Sequence, residues 1–327
     1  MMQTRCFVCA ARAFQPTERT LLDASGRRHA FAFACGSCGA LVSDDANPAS
    51  CAADLARRLS SPAFHPDDLT EYGLDPFSLR IAATAKRLGI RPIGEAQLDG
   101  LRRPHSPLAA EAEPFALDGA PQMPVSLGIC CRAGEVEGVI ATLGDHAGWA
   151  REVVILVDAE VSDAVPREVD GFDEGAVRIA GRPLGGDFAA QRNALAALST
   201  SAWMFQLDAD EALEPETGEL LPALALDAER QGVVSIGFRR RNLVDGVLSD
   251  LFPDTQYRLN HASVAYAGVV HERPAVDWRH STITLHGAFV HHLARGHVET
   301  RSQRYEHMLP GQGRLEEQER LLSPYRA

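Results

Sequence analysis

From residue 125 onward, the sequence alternates between short apolar runs and segments with helical spacing. The apolar run 153–157 ends at Asp158, and a second run, 202–207, leads directly into Asp208. Between them, residues 187–199 have helical periodicity and begin with an aspartate at the N-cap position. Alternating strands and helices predict an α/β fold with a mostly parallel sheet. Open sheets of this kind bind ligands at the carboxyl ends of their strands, where both aspartates are expected.

The composition is that of a globular protein. The chain has 327 residues, 45% of them hydrophobic and 23% charged, which excludes a wholly disordered or collagen-like protein. Its net charge of −12 argues against general nucleic-acid binding, which depends on lysine and arginine at phosphates. We see no apolar run of about 20 residues and no signal-peptide core at the N-terminus. We therefore expect a cytoplasmic protein without a transmembrane segment, and peripheral membrane association stays open.

Four of the seven cysteines form two C-x2-C pairs, Cys6 with Cys9 and Cys35 with Cys38. Two such pairs can bring four thiolates to one tetrahedral zinc ion, and a site with four protein ligands is structural. The alternative is four unrelated buried cysteines, since an odd total without a secretion signal argues against disulfides. We predict a zinc-ribbon module in residues 1–60. The other cysteines are expected in the apolar core: Cys51, Cys130 and Cys131.

Three further regions follow this module. Residues 61–124 are expected to hold a helical segment, with Gly89 as its C-cap, and then a linker rich in proline and alanine at 104–124. Residues 125–295 form the predicted catalytic domain, and residues 296–327 a helical C-terminal tail.

The acidic pair Asp208 and Asp210 stands just after the apolar run 202–207. Side chains alternate along an extended chain, so both carboxylates are expected on one side. Two carboxylates so placed suit a divalent cation that in turn holds a diphosphate. The alternative is that these acids cap and solvate the helix expected before Pro215.

Residues 125–308 resemble the family 2 glycosyltransferases, in particular the bacterial branch that includes lipopolysaccharide-core glucosyltransferases. Several blocks carry the resemblance in the family's order: V-S-L-G-I at 125–129, the strand ending at Asp158, A-Q-R-N-A-L at 190–195, W-M-F-Q-L-D-A-D-E at 203–211, Y-R-L at 257–259, V-H-E at 270–272 and His291. The resemblance implies a GT-A fold, which is Rossmann-like, a nucleotide-sugar donor, and manganese or magnesium.

The resemblance also implies roles for individual donor-site residues. Asp158 would contact the uracil or ribose, and Arg192 would lie beside the nucleotide. Asp208 and Asp210 would form the metal and diphosphate site.

The last third of the chain is rich in histidine, and most of these residues are expected at the surface or in the core. His291 is the exception, because the resemblance implies a histidine at the metal site near the end of the domain. His292 is adjacent, and the register between the two stays open.

Glu272 is the predicted general base, since it follows an apolar run at 264–270. Glu211, beside the metal pair, is the competing candidate and could instead orient the sugar. A third interpretation is that Glu272 only pairs with Arg258 or Arg273 and holds its loop.

The predicted function is metal-dependent transfer of a sugar, from UDP-hexose by preference, to an acceptor hydroxyl with inversion. The metal would stabilise the departing nucleoside diphosphate, and a carboxylate would take the acceptor proton. The acceptor could be a glycan, a protein or a modified nucleobase. The rival is a non-catalytic binding protein that combines a zinc ribbon with a GT-A domain. The donor sugar and the oligomeric state are not determined by the sequence.

Overall fold

The computed structural model describes residues 5–66, 71–269, 271–311 and 313–326. Val270 of the V-H-E block lies outside the described residues, as do the first four residues of the predicted zinc module. Within the described part of the chain, no helix has the length and apolar character needed to cross a membrane.

The N-terminal third contains short strands and helices. They are β1 (Phe14–Pro16), β2 (Thr20–Leu22), β3 (Arg28–Ala30), β4 (Phe33–Cys35), β5 (Leu41–Val42), α1 (Pro48–Leu59), β6 (Tyr72–Gly73), α2 (Pro76–Thr84), β7 (Leu88–Pro92), α3 (Glu95–Leu101) and β8 (Ala112–Ala116). Strands β1, β4, β5 and β6 form one antiparallel sheet, while β2 pairs with β3 and β7 with β8.

Two expectations for this third need correction. Helix α2 ends at Thr84, and Gly89 lies inside β7 rather than at a C-cap. The Phe115 ring of β8 covers Gly89 so closely that a Cβ there would overlap it. The stretch 104–124 is therefore not all linker, because β8 pairs with β7 along its full length.

One apolar core joins the cysteines to β8. It includes Leu79 and Ile90, which are 0% and 2% exposed, and it also receives Ile283 and Leu285 from the later part of the chain. The domain boundaries at residues 60, 124 and 295 remain predictions, but the buried residues of this core, from Cys6 to Ala112, pack together with Ile283 and Leu285 of the later region.

The rest of the chain contains the central sheet and a separate pair of short strands. Its first half contains β9 (Val125–Arg132), α4 (Val136–Thr142), β10 (Ala150–Asp158), β11 (Ser162–Pro166), β12 (Val177–Gly181), α5 (Phe188–Ala197), β13 (Trp203–Asp208), β14 (Glu211–Leu213), α6 (Pro215–Gly218) and α7 (Leu221–Arg230). Its second half contains β15 (Ser235–Val244), β16 (Val247–Leu248), β17 (Asp254–His261), β18 (Tyr266–Ala267), β19 (Arg273–Pro274), β20 (Ser281–Ile283), β21 (Phe289–Leu293), α8 (Arg295–Met308) and α9 (Leu315–Leu322).

The strands of the sheet follow the order β11-β12-β10-β9-β13-β17-β15-β21-β14. Strands β12, β10, β9 and β13 are parallel to one another, and β17 joins β13 in the antiparallel direction. The predicted α/β class is confirmed, with a large central sheet whose core is parallel. The chain runs outward from β9 through β10 to β12 and then returns to place β13 on the other side of β9. A crevice for ligands forms at such a reversal, at the carboxyl ends of the two strands.

Apolar residues on both faces explain why the parallel strands are buried. Along β10, Val153 and Ile155 belong to the large core that also contains the apolar residues of α7, while Val154 and Leu156 belong to a second core with Leu195 of α5. This alternation follows from the period of two along a strand. Helix α5 begins where predicted, with the Asp187 carboxylate accepting the N–H of Ala190 at 2.9 Å.

The apolar run at 264–270 contributes one short strand. Its described residues, 264–269, include the two-residue strand β18, which pairs with β19. Between β20 and β21, Gly287 has φ 65°, and a Cβ there would overlap Thr217.

Candidate active site and cysteine cluster

The crevice between β9 and β13 contains the acidic block. Asp208 is the last residue of β13 and Asp210 follows in the turn, while Cys130 of β9 lies opposite Asp208 in the parallel register. The side chains of Asp208 and Asp210 are 35% and 47% exposed, so both reach solvent at the mouth of the crevice. The topology thus puts the D-x-D block where an α/β sheet binds its ligand.

Arg192 of α5 holds two carboxylates at once. Its Nη2 donates to both oxygens of Asp208, at 2.9 and 2.8 Å, and its Nε donates to Oε1 of Glu272 at 2.6 Å. Burial lowers the pKa of Arg192, but the charges of Asp208 and Glu272 raise it more, so it stays well above the usual range. Only 6% of the side chain is exposed, and Arg192 therefore positions these acids from below the crevice.

Arg258 of β17 provides the second contact to Asp208. Its Nη2 donates to Oδ2 of Asp208 at 2.9 Å and to Oε1 of Glu211 at 2.7 Å. Burial raises the pKa of Asp208, but the charges of Arg192 and Arg258 outweigh it and hold that pKa well below the usual range. Asp208 is thus ionised and already neutralised by two arginines.

Glu211 is enclosed by the same network. Its side chain is 0% exposed, and it also accepts from Nη1 of Arg240 at 3.0 Å and from the N–H of Asp208 at 3.1 Å. A carboxylate without solvent exposure cannot meet an acceptor hydroxyl or orient a sugar by contact. The burial of Glu211 favours Glu272 over Glu211 as the predicted base.

Asp210 has a different partner. Its Oδ2 lies 3.3 Å from Nε2 of His291. Burial raises the pKa of Asp210, but the contact with His291 lowers it more, so that pKa lies below its usual value. His291 is 4% exposed, whereas His292 is exposed and only its backbone N–H contacts Asp210, donating to the main-chain oxygen at 3.1 Å. The register between the two histidines therefore places His291, not His292, beside the D-x-D block.

Asp158 and Glu272 are the two remaining predicted residues of the site. Asp158 ends β10 with an exposed side chain whose Oδ1 accepts the N–H of Leu184 at 2.8 Å. Glu272 is 15% exposed and pairs with Arg192, rather than with the expected Arg258 or Arg273. The loop-holding interpretation of Glu272 thus names the wrong arginines, and the base assignment stays a prediction.

Sequence reasoning missed part of the network. Arg240 donates from Nε and Nη2 to Asp254 at 2.9 and 2.7 Å, and Asn242 joins Asp254 to His291. Burial lowers the pKa of Arg240, but Asp254 and Glu211 raise it more, and the pKa of Asp254 lies well below its usual range because Arg240 outweighs burial. The available signal was alternation in β17, where Asp254, Gln256, Arg258 and Asn260 occupy every second position and give that strand one strongly polar face.

The four cysteines converge in the N-terminal module. Their sulfur atoms all lie within 4.8 Å of one another, with 3.7 Å between Cys6 and Cys38 and 3.6 Å between Cys9 and Cys35. Tetrahedral zinc with Zn–S bonds of about 2.3 Å separates its sulfurs by about 3.8 Å. All four residues are 1–3% exposed. The geometry fits one structural zinc ion, and four unrelated cysteines would not converge in this way.

The turns of the two knuckles match each other. The N–H of Ala10 donates to the carbonyl of Cys6 at 2.8 Å, and that of Gly39 to the carbonyl of Cys35 at 2.9 Å. Ala10 has φ 64° and Gly39 has φ 82°, so both adopt the left-handed conformation. Glycine takes this conformation without strain, whereas alanine takes it at a cost of roughly 1 kcal/mol.

No protein-family model and no curated protein matches the sequence. Among solved structures, the chain is similar to S. aureus TarS residues 1–349, with a TM-score of 0.33 and 10% identity over 60% of this chain and 69% of that one. The same TarS fragment in complex with UDP-GlcNAc matches with a TM-score of 0.33 and 9% identity, over 60% of this chain and 70% of that one. Similarity at this level leaves the function to be argued from the site.

Proposed function

We propose that the chain is a metal-dependent glycosyltransferase that moves a sugar from a nucleotide-sugar donor to an acceptor hydroxyl. The observation that carries the proposal is the half-exposed Asp210 with His291 at 3.3 Å, beside Asp208 and at the reversal of the parallel strands. A cation at this position would lie where the diphosphate of a nucleotide binds such a sheet. The helix-capping interpretation does not account for His291.

The side chains fit a divalent cation held by Asp210 and His291. Asp210 retains 47% exposure, which leaves room for water and diphosphate oxygens as further ligands. A nitrogen ligand next to a carboxylate suits Mn²⁺ better than Mg²⁺, which prefers oxygen ligands. Bound there, the cation would stabilise the negative charge on the departing nucleoside diphosphate. Asp208, neutralised by its arginines, would support the site rather than bind the cation first.

The proposed roles of the other site residues follow from their positions around Asp208 and Asp210. Asp158 ends the neighbouring parallel strand and would accept hydrogen bonds from the nucleoside. Arg192 and Arg258 hold Asp208 in place, so the diphosphate would meet a rigid edge of the crevice. Glu272 would take the proton of the attacking hydroxyl while Arg192 fixes its orientation, because general-base catalysis depends first on geometry. Attack from the side opposite the leaving group would invert the anomeric carbon.

A thermal-shift screen of UDP-sugars, with and without Mn²⁺, tests this proposal. A ligand that binds only the folded state raises the melting temperature by mass action, so a donor should do so only when Mn²⁺ is present. Release of UDP from the stabilising sugar would then identify the donor. A non-catalytic binding protein would show the shift without release of UDP, and no shift with any nucleotide sugar would contradict the proposal.

A further inference from the structure

A chain of hydrogen bonds lies behind His291. The Nδ1 atom of His291 is 2.9 Å from Oδ1 of Asn242, and Nδ2 of Asn242 is 3.0 Å from Oδ2 of Asp254. Asn242 and His291 are directly opposite each other on the parallel strands β15 and β21. Their exposed fractions are 1% and 4%, so water does not compete for these contacts.

The partners determine which way the Asn242 amide points. Asp254 accepts two N–H groups of Arg240 on Oδ2 and one of Gln256 on Oδ1, as an ionised carboxylate does. A carboxylate offers no donor, so the NH₂ group of Asn242 must face it and the amide oxygen must face His291. That oxygen can only accept, and Nδ1 of His291 therefore donates its proton.

This orientation has a consequence at the other nitrogen. In a neutral imidazole with its proton on Nδ1, the Nε2 atom carries a lone pair, and here it lies 3.3 Å from the carboxylate oxygen of Asp210. Two acceptors at this separation repel each other unless a cation is shared between them. Histidine ligands of metals commonly donate their second ring N–H to a protein oxygen, which fixes the tautomer.

We propose that Asn242 is a positioning residue that holds neutral His291 in its Nδ1–H tautomer, so that Nε2 and Asp210 together bind the divalent cation. This inference rests on the proposed function and names a residue outside the D-x-D block. Arg240 and Asp254 orient Asn242 in turn, and Arg240 also contacts Glu211 next to the block. The rival is a protonated His291 that forms an ion pair with Asp210 and binds no metal.

The first test compares Mn²⁺ affinity in Asn242→Leu and wild type by isothermal titration calorimetry in the presence of UDP. Loss of a partner behind a metal ligand lowers metal affinity by about 10- to 100-fold, and we expect a decrease of this size. Asn260→Leu is the matched control, because Asn260 is buried on β17 and bonds to Ser235 and Tyr266 rather than to His291.

The second test needs no Asn242 variant and decides the matter if Asn242→Leu does not fold. Histidine labelled with ¹⁵N in the wild-type protein, with His291 assigned through His291→Gln, reports the tautomer by NMR. The proposal requires a proton on Nδ1 alone, and a change in the Nε2 resonance when Mg²⁺ and UDP are added.

The outcomes separate this inference from the proposed function. Resonances of a doubly protonated ring, unchanged by the metal, would overturn the inference. Wild-type Mn²⁺ affinity in a folded Asn242→Leu would overturn it as well, while metal-dependent donor binding could still stand. If the wild-type protein binds no Mn²⁺ with any nucleotide, the metal-dependent function fails together with the inference.

Discussion

The four-cysteine cluster and the Asp210–His291 pair, the two proposed metal sites, differ in what surrounds their side chains. The cysteines are 1–3% exposed, and two short turns supply all four sulfurs. Asp210 is half-exposed, and its partner comes from a strand far away in the sequence. A closed set of four protein ligands stabilises a fold, whereas an open set leaves positions for substrate. The two regions should therefore respond differently to the same kind of substitution.

The largest effect is expected from Asp210→Asn, which keeps the shape of the side chain but removes its charge from the open site. We expect turnover to fall by about 100-fold or more and Mn²⁺-dependent binding of UDP to be lost, since the cation loses its carboxylate. Turnover assays and calorimetry measure these effects. Asp173→Asn, at a side chain that is 84% exposed, is the control. Wild-type turnover in Asp210→Asn would contradict the proposal that Asp210 holds a catalytic cation. The contrast between a closed structural site and an open catalytic site would then fail.

Glu272→Gln is expected to lower turnover by roughly 100-fold while donor affinity stays near that of wild type, because only proton transfer is lost. Steady-state kinetics together with UDP-sugar binding separate the two quantities. Glu299→Gln, on the exposed surface of α8, is the control. If donor affinity falls together with turnover, Glu272 acts through its 2.6 Å contact with Arg192 and is not the base.

Cys35→Ser should remove zinc and lower the melting temperature, since structural zinc is coupled to local folding. Donor affinity should be largely retained, because no hydrogen bond or ion pair among the described residues joins the cysteines to Asp210 or His291. Elemental analysis, calorimetric melting and UDP-sugar binding provide the readouts. Cys51→Ser, a buried cysteine of the same module outside the cluster, should keep its zinc. Less than a small fraction of an equivalent of zinc in wild type, even after zinc is added, would contradict the closed site.

The smallest effect on activity is expected at Glu152, a buried acid that contacts neither proposed metal site. Burial raises its pKa, but hydrogen bonds from Ser126 and Thr200 and from Arg178 lower it below the usual range. A lowered pKa contributes stability that is present above the unfolded value, about pH 4.3, and is lost as the pH falls. Glu152→Gln should therefore destabilise on the order of 1–3 kcal/mol at pH 7 and less at pH 3, with unchanged turnover. Denaturant titrations at the two pH values measure this, and equal losses at both would contradict the ionised state.

Strongly periodic parts of the fold were predictable from the sequence. Strands β10 and β13 and helix α5 lie within a few residues of their expected positions, because continuous apolar runs and an N-cap aspartate are local signals. The elements whose observed structure differs from the prediction depend on contacts with residues distant in the chain. Gly89 belongs to a strand because Phe115 packs against it, and β18, from the run at 264–270, pairs with β19 rather than with the central sheet.

The features of the candidate site also divide into those that the sequence predicts and those that only the fold brings together. Cysteine spacing predicted the cluster that contains Cys6 and Cys38, and the D-x-D block placed Asp210 just after the end of β13, since close spacing in sequence limits where those side chains can go. That Asp210 faces His291, and that Glu211 is enclosed, depended on β14 pairing with β21.

The sequence by itself determined the α/β alternation, the cysteine pairs and the acidic end of β13, because each is a pattern within a short segment. Tertiary structure alone decided which charges meet. Arg240 and Asn242 lie on β15 and Asp254 lies on the antiparallel strand β17. A shift of β15 by one residue would turn Asn242 away from His291 and both β15 side chains away from Asp254. Because these side chains are buried, water cannot satisfy their charges and amide groups, and they must hydrogen-bond to one another.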